Sequence, residues 1–277
     1  MLLSTSTSCT LVSLSLTAQV MALCERTTLQ DIASTYLRAQ ASGSPNLLPH
    51  TANMTYTEND VALNASKGIL TQSIIIDLSR SLLDTTTCSI FTEITSATNP
   101  HPYVIDTLLR ISPTTPATVT SLQSVIADTG DWIFNATSHL HWSQSESWGP
   151  IPPSNRDSRT TIRAAADAYL DSWANGSVPV PYGTPCARLE GGAYTGERNA
   201  TGNTCYMPEF PKPFKGVGNR RYVIDEEVGA VGILNDFPFI DATRPEGTPS
   251  CNLVRVEAGM IRYIHETTVC ATRGCGR

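Results

Sequence analysis

Two stretches of the chain match each other over seventeen residues without a gap. The segment TLQDIASTYLRAQASGS at 28–44 aligns with TIRAAADAYLDSWANGS at 161–177. Both begin at a threonine that can serve as an N-cap, and both stop at Gly-Ser. Chance similarity between two amphipathic helices is the alternative, but the length of the match favours a duplicated unit that begins with a helix. Apolar residues at helical spacing mark the buried faces: Leu29, Ile32, Ala33, Tyr36 and Leu37 in one helix and Ile162, Ala165, Ala166, Tyr169 and Leu170 in the other.

The segments after the two helices are also alike. In each half a proline-containing linker leads to a short strand and then to paired β-rich runs. These runs are 87–95, 103–111, 120–127 and 131–142 in the first half, and 221–225, 230–235, 252–256 and 260–270 in the second.

The pattern predicts an α+β protein in which a helix packs in a curved antiparallel sheet, twice in tandem. That arrangement is the cone of the NTF2-like, or SnoaL-like, fold. We expect a signal peptide at 1–22, a first NTF2-like repeat at 23–146, a proline-containing linker at 147–159 and a second repeat at 160–277.

Several features indicate secretion. An apolar stretch from Leu11 to Leu23 ends near Val20-Met21-Ala22, which fits a signal-peptidase site, although no Lys or Arg precedes it and a short buried helix is the alternative. No later stretch is long enough to span a membrane. We therefore expect a protein that is secreted or resides in the lumen of the secretory pathway. Five sequons predict N-glycosylation at Asn53, Asn64, Asn135, Asn175 and Asn199.

The cysteines fit the same compartment. If Cys9 leaves with the signal peptide, seven remain, which predicts disulfides and one unpaired thiol. We expect a Cys24–Cys88 bond, because it would tie the mature N-terminus to the first repeat. No cysteine or histidine pair has the spacing of metal ligands, so no metal and no cofactor is expected. A net charge of −6 without a Lys/Arg cluster argues against a nucleic-acid partner.

The second half carries the most distinctive motifs. CARLEGG at 186–192, RRYVIDEEVGAVGIL at 220–234 and VRVEAGMIRYIHETTV at 254–269 resemble a fungal secreted family, as does CSIFTEI…ATNPHPYVI at 88–105. The resemblance covers most of the mature chain. That family includes glycosylated, cofactor-free hetero-Diels–Alderases of tropolonic sesquiterpene (terpenoid) biosynthesis. It implies a similar reaction here, but no working residue of those enzymes can be matched to this chain one by one.

The sequon at Asn135 gives a prediction of which strand faces point inward. If 130–136 aligns with 259–265 and Asn135 carries a glycan, Asn135 and His139 face water and Trp132 and Phe134 face the cavity. The alignment then places Ile261, Tyr263, His265, Thr267 and Val269 inside the second cone, with Arg262 and Glu266 outside. His139 and His141 share the outward face, which argues against a metal site there.

These faces define the candidate site. His265, in line with Tyr263, is either a hydrogen-bonded core histidine or a functional group, that is, a general acid or base or a hydrogen-bond donor to a bound ligand. Arg188 and Glu190 share a strand face, where they form a structural ion pair or half of a polar site, and Gly191-Gly192 ends that strand. We therefore predict His265, Tyr263, Arg188 and Glu190 as catalytic residues. Predicted substrate-binding residues are Trp132, Phe134, Ile261, Thr267 and Tyr222.

Two functions of different classes fit these predictions. The first is a cofactor-free cyclase, a hetero-Diels–Alderase that joins a tropolone quinone methide to an olefin such as humulene; proximity in an apolar cavity would accelerate that reaction. The second is a secreted protein that binds a lipophilic small molecule without catalysis. A SnoaL-like hydrolase or isomerase is a third option. The expected partner is a small apolar or aromatic molecule, and a homodimer is compatible with the sequence.

Overall fold

The computed structural model describes residues 24–113 and 116–275. The predicted signal peptide at 1–22 and Cys9 lie outside the described residues. The first unit has helix α1 (Arg26–Ser42), and helix α2 (Ala136–Ser145) follows its sheet. Its strands are β1 (His50–Glu58), β2 (Val61–Ala62), β3 (Leu78–Asp84), β4 (Ser89–Ser96), β5 (Tyr103–Ile111) and β6 (Val119–Ala127).

The second unit repeats this order. It begins with helix α3 (Arg159–Ser172). Its strands are β7 (Tyr182–Glu190), β8 (Ala193–Tyr194), β9 (Gly218–Asp225), β10 (Ala230–Phe237), β11 (Thr248–Glu257) and β12 (Met260–Thr268). The sheets have matching strand orders, β2-β1-β6-β5-β4-β3 and β8-β7-β12-β11-β10-β9. The protein is therefore α+β with two similar units of one helix and one sheet, as the repeat predicted.

Each sheet is mixed rather than purely antiparallel, so that part of the fold prediction was wrong. Strand β1 pairs in parallel with β6, and β7 pairs in parallel with β12. All other pairs are antiparallel. In each unit the first long strand therefore lies beside the last strand. A parallel pair cannot be joined by a tight turn, and here the rest of the unit connects the two strands.

The strand predicted at 131–142 is also wrong. Residues 136–145 form α2, with Asn135 as an N-cap whose side chain accepts a hydrogen bond from Ser138 N. The buried residues Ala136, His139 and Ser143 have helical spacing rather than the alternation of a strand. The equivalent of β12 is therefore β6, and the alignment of 130–136 with 259–265 does not hold.

The two repeated helices bury the predicted faces, with small differences at their ends. All five predicted residues of α3 are buried, whereas Leu37 of α1 is only half-buried. Helix α1 begins before Thr28 and ends at Gly43, which has left-handed φ of 62°. Helix α3 is capped by Ser158 and ends at Ser172, before the Gly-Ser pair. Each helix packs on one face of its own sheet and forms a separate core.

The opposite faces of the two sheets pack against each other. Their apolar contact joins Leu82, Phe91, Leu108 and Val125 of the first sheet to Val223, Leu234, Cys251 and Leu253 of the second. Phe91 of β4 lies against Gly232 of β10, where an added Cβ would be 2.4 Å from the ring. The two positions are equivalent in the repeat, three residues into β4 and β10. The Phe91 ring therefore occupies the space that the missing side chain of Gly232 leaves.

Two aspartates connect the units reciprocally. Asp84 ends β3 and binds Arg159 of the other unit at 2.7 and 2.6 Å, while it also accepts a hydrogen bond from Ile224 N. Asp225 ends β9 and makes the corresponding contacts, with Arg26 at 2.9 Å and Leu83 N at 2.9 Å. Each arginine is the first residue of its helix. The units are thus related by an approximate two-fold axis.

Three disulfides join Cys24 to Cys88, Cys186 to Cys205 and Cys270 to Cys275. The first confirms the predicted pair. Among the described cysteines only Cys251 is unpaired, and it is buried. The disulfides fit an extracellular or secretory-pathway protein. Within the described ranges, no helix combines the length and the apolar character that crossing a membrane requires.

Candidate functional site between the two sheets

His265 points toward the first sheet and away from the core of its own unit. On β12, Ile264 packs in the core around α3, and Glu266 accepts a hydrogen bond from Tyr169 of that helix. Alternation then turns Tyr263, His265 and Thr267 to the interface between the sheets. The predicted faces were wrong because they rested on the strand assigned to 131–142. Glu266, expected outside, is 5 % exposed.

Two carboxylates hold the His265 ring. Nδ1 lies 2.7 Å from Oε1 of Glu93 on β4, and Nε2 lies 2.6 Å from Oε2 of Glu146, just after α2. All three side chains are 1–2 % exposed. Glu190, predicted as a catalytic residue together with His265, belongs to a different cluster. His265 is therefore a buried histidine with hydrogen bonds at both nitrogens, and it connects the first unit to the second.

Arg80 and His139 complete the arrangement around Glu93. Arg80 Nη1 donates to Glu93 Oε2 at 2.8 Å and lies 3.2 Å from His265 Nδ1. Its Nη2 donates to the backbone and side-chain oxygens of Ser143 on α2. His139 bonds through Nδ1 to Thr95 Oγ1 at 2.9 Å, and its Nε2 lies 3.8 Å from Glu93 Oε1. We call Arg80, Glu93, Asp106, His139, Glu146 and His265 the inter-sheet cluster.

Burial and mutual charge shift the protonation of this cluster. Burial lowers the pKa of His139 to about 3, which keeps the ring neutral. Burial also opposes the charge on His265, but Glu93 and Glu146 outweigh it and raise its pKa to about 9. Burial raises the pKa of Asp106 to about 7, and the adjacent Glu93 charge adds to that shift.

Aromatic side chains cover the cluster. Trp148 stacks on Tyr263 with ring centroids 5.7 Å apart, contacts the edge of His265 and lies under the Arg80 guanidinium. Its Nε1 donates to Glu146 Oε2 at 2.8 Å. Arg262 lies over the outer face of Tyr263. The segment after α2 therefore closes the cluster from solvent.

A second polar cluster lies inside the second unit. Arg188 donates to Glu190 at 3.1 Å and to Glu266 at 2.9 Å, so the predicted shared face of Arg188 and Glu190 is confirmed. Trp132 Nε1 donates to Glu190 Oε1 at 2.6 Å. Burial raises the pKa of Glu266, although Arg188 opposes that effect. Gly191 ends β7, and an added Cβ there would lie 2.6 Å from the Ile133 carbonyl oxygen.

The predicted residues therefore fall into separate places. Tyr263, His265 and Thr267 face the first sheet, while Arg188, Glu190 and Trp132 belong to the second cluster. Ile261 is fully buried in the core around α3. Tyr222 donates to Asp167 and lies under Arg163, on the surface of the second unit. Phe134 is half-buried beside the N-cap of α2. They do not line one cavity.

Sequence reasoning missed most of the inter-sheet cluster. Glu93, Arg80 and Asp106 are ordinary alternating strand residues, with no local motif. The spacing of Ala136, His139 and Ser143 was the available indication, since it places His139 on the buried face of a helix.

An apolar groove lies elsewhere on the second unit, between the segments 211–218 and 238–246. Its volume is ≈ 680 Å³. Phe239 is 43 % exposed in it, and the Phe214 ring packs edge-on against Phe239 with ring centroids 6.1 Å apart. The rest of the lining consists of prolines, lysines, glycines and one acidic residue: Pro211, Lys212, Pro213, Lys215, Gly216, Gly218, Pro238, Pro245 and Glu246. We call this the aromatic groove. Neither polar cluster contributes to it.

The five sequon asparagines, Asn53, Asn64, Asn135, Asn175 and Asn199, are all exposed. In three of them the hydroxyl two residues later donates to the asparagine side-chain oxygen, from Ser66, Ser177 and Thr201. The amide nitrogen that would carry a glycan does not take part in those bonds. Glycosylation at all five positions stays a prediction.

A family model described as a domain of unknown function (DUF8021) matches residues 155–268. This range holds α3 and strands β7 to β12, so the match covers the second unit and less than half of the chain. No curated protein matches the sequence.

Proposed function

We propose that the protein is a secreted binding protein for a lipophilic, ring-containing small molecule, which it holds in the aromatic groove. The exposed Phe239 ring in a groove of ≈ 680 Å³ carries the proposal. Ligand sites are concave, mostly apolar and of about 300–1,000 Å³. We further propose that each unit is an NTF2-like cone, with the groove at the surface of the second.

The rim of the groove suggests the polarity of the ligand. Lys212 already pairs with Glu209 at 2.9 Å. Lys215 is exposed and has no ion-pair partner among residues 24–113 and 116–275. A ring system with one acidic or carbonyl oxygen would place its apolar body against the exposed Phe239 ring and its oxygen at Lys215.

A cofactor-free cyclase, the hetero-Diels–Alderase that the resemblance implies, is the second candidate. The volume of the groove favours it, because it is large enough to hold two ring-sized reactants together. Lys215 would then polarise the carbonyl oxygen of the electrophile. His265 is not needed for either candidate.

Anilinonaphthalene sulfonate combines fused rings with an anion, and its fluorescence reports binding. We expect Phe239→Ala to weaken binding of this probe roughly tenfold, the scale of about 1.4 kcal/mol for a lost aromatic contact. Lys215→Gln should also weaken it, more at low salt than at high salt. Leu47→Ala, which truncates a 52 % exposed side chain on the other unit, and Lys67→Gln are matched controls. Equal binding by all four variants would refute the groove as the site.

A turnover assay distinguishes the two candidate functions. The secreted protein is incubated with a tropolone quinone-methide precursor and humulene, and adducts are followed by chromatography. Rate acceleration that Phe239→Ala removes would favour the cyclase. Binding of the probe without any acceleration would favour the binding protein.

A further inference from the structure

We propose that Glu93, His139 and His265 form a binding site for a zinc ion that joins the two units. Glu93 Oε1, His139 Nε2 and His265 Nδ1 lie within 4.8 Å of one another. Two imidazoles and one carboxylate are a common ligand set for Zn²⁺ with three protein ligands. Harder cations such as Mg²⁺ and Ca²⁺ prefer oxygen ligands.

The unpaired nitrogen of His139 is the second observation. His139 is 1 % exposed, and its Nε2 has no hydrogen-bond partner among the described residues. That nitrogen points toward Glu93 Oε1 at 3.8 Å. A buried polar atom without a partner is costly, and a metal bond would supply one.

The remote nitrogens of both rings are held as in metal sites. His139 Nδ1 bonds to Thr95 Oγ1 at 2.9 Å, and His265 Nε2 bonds to Glu146 Oε2 at 2.6 Å. Metal-bound histidines nearly always use the other ring nitrogen in this way, which fixes the ring and its tautomer.

Two of the three separations between the ligand atoms are close to those of a zinc site, and the third, between the two imidazoles, is within 4.8 Å. With bonds of about 2.0–2.1 Å, neighbouring ligands of tetrahedral zinc lie about 3.3 Å apart. The observed separations from Glu93 Oε1, 2.7 Å to His265 Nδ1 and 3.8 Å to His139 Nε2, differ from that value by about 0.5 Å. Arg80 would leave His265 Nδ1 and keep its bonds to Glu93 Oε2 and Ser143.

Formal charge also fits a divalent ion. Three carboxyl groups, Glu93, Asp106 and Glu146, lie around one fixed cation, Arg80. A zinc ion would take the place of the proton on His265 Nδ1. Two neutral imidazoles and the divalent ion would then neutralise the three carboxylates together with Arg80. The ion would bridge β4 of the first unit, helix α2 and β12 of the second.

The first test is the metal content of the full-length secreted protein, by mass spectrometry after dialysis against metal-free buffer. We expect about one zinc per chain, lost from His139→Gln and retained by His141→Gln, the exposed histidine on the same helix. Denatured, metal-stripped wild-type protein refolded with intact disulfides and one equivalent of Co²⁺ should show the visible absorption of four-coordinate cobalt. Mg²⁺ should not compete.

The wild-type measurements keep the proposal falsifiable if a variant fails to fold. Folded wild-type protein without zinc that also gives no cobalt spectrum on refolding would overturn it. Equal zinc in His139→Gln and wild type would overturn the assignment of the ligands.

Discussion

Replacing Asp84 with asparagine tests the reciprocal contacts that hold the units together. The Asp84 side chain is fully buried and accepts five hydrogen bonds, from Thr86 N, Thr87 N, Ile224 N and both Arg159 terminal nitrogens. Asparagine is isosteric, but one carboxylate oxygen becomes an NH₂ group. If the NH₂ group takes the place of Oδ2, the two donors that bind Oδ2, Ile224 N and Arg159 Nη2, would face an N–H donor instead of an acceptor.

The magnitude follows from the burial of those donors. Ile224 is 3 % exposed, so its N–H would lose its bond without gaining water. The Arg159 side chain is 27 % exposed and can be partly rehydrated. A buried unsatisfied donor costs about 1–3 kcal/mol and a lost charged bond about 1.5–3 kcal/mol. We therefore expect about 3 kcal/mol of destabilisation, or roughly 6–12 °C in Tm for a chain of this size.

Urea unfolding of the variant and of wild type, followed by circular dichroism, measures this loss. Asp31→Asn is the control, because Asp31 is an exposed residue of α1, and it should change stability by no more than about 0.5 kcal/mol. Asp225→Asn should behave like Asp84→Asn. If Asp84→Asn and Asp31→Asn have the same unfolding midpoint, the contact to Arg159 does not stabilise the fold.

The pH dependence gives an independent check. Burial opposes ionisation of Asp84, but Arg159 and the backbone N–H groups outweigh it and hold its pKa below the ordinary value of 3.8. A lowered pKa stabilises the folded state above the ordinary pKa, and that stability is lost as pH falls through the folded pKa. The difference between wild type and Asp84→Asn should therefore be constant above about pH 5 and shrink below about pH 4.

Two further predictions concern His265 and the glycans. His265→Phe should lower stability by about 3–5 kcal/mol, because Glu93 and Glu146 would stay buried without their shared cation; binding of the fluorescent probe in the aromatic groove should not change, and unchanged stability in urea would contradict the buried network. Deglycosylation in H₂¹⁸O followed by peptide mass spectrometry should label the five exposed sequon asparagines, Asn53, Asn64, Asn135, Asn175 and Asn199. An unlabelled Asn135 would show that capping of α2 excludes its modification.

The sequence predicted the repeated elements well, because local periodicity determines them. Strand β5 was predicted with its observed bounds at 103–111, and both helices were found with their buried tyrosines, Tyr36 and Tyr169. The pairing of β1 with β6 was not predictable in this way. Parallel pairs between the ends of a unit depend on the closure of the whole sheet, which leaves no local pattern.

The candidate site was harder to predict because it depends on which sheet faces meet. Both faces of β12 are buried, so alternation could not distinguish them. The assignment therefore relied on Asn135, and that residue proved to be a helix cap rather than part of a strand. One wrong element inverted the faces assigned to Tyr263, His265, Thr267 and Glu266, although Ile261 lies in the core around α3 as predicted. His265 was recognised as a buried polar group, but its partners come from β4 and from the segment after α2.

The described residues contain one inter-sheet cluster, although the units are related by an approximate two-fold axis, because the side chains at equivalent positions differ. Arg80 and Arg221 are equivalent, but the residue paired with Arg80 across the strands is Glu93, whereas Arg221 is paired with Leu234. His265 and Gln123 are also equivalent, since each is paired with a leucine of the neighbouring strand. Arg221 contacts Gln123 at 3.4 Å much as Arg80 contacts His265 at 3.2 Å. The duplicated backbone therefore offers two similar sites. The site at Arg80 holds a carboxylate and an imidazole, and α2 covers it with His139. Of the two, this site therefore has the chemistry to bind a metal ion.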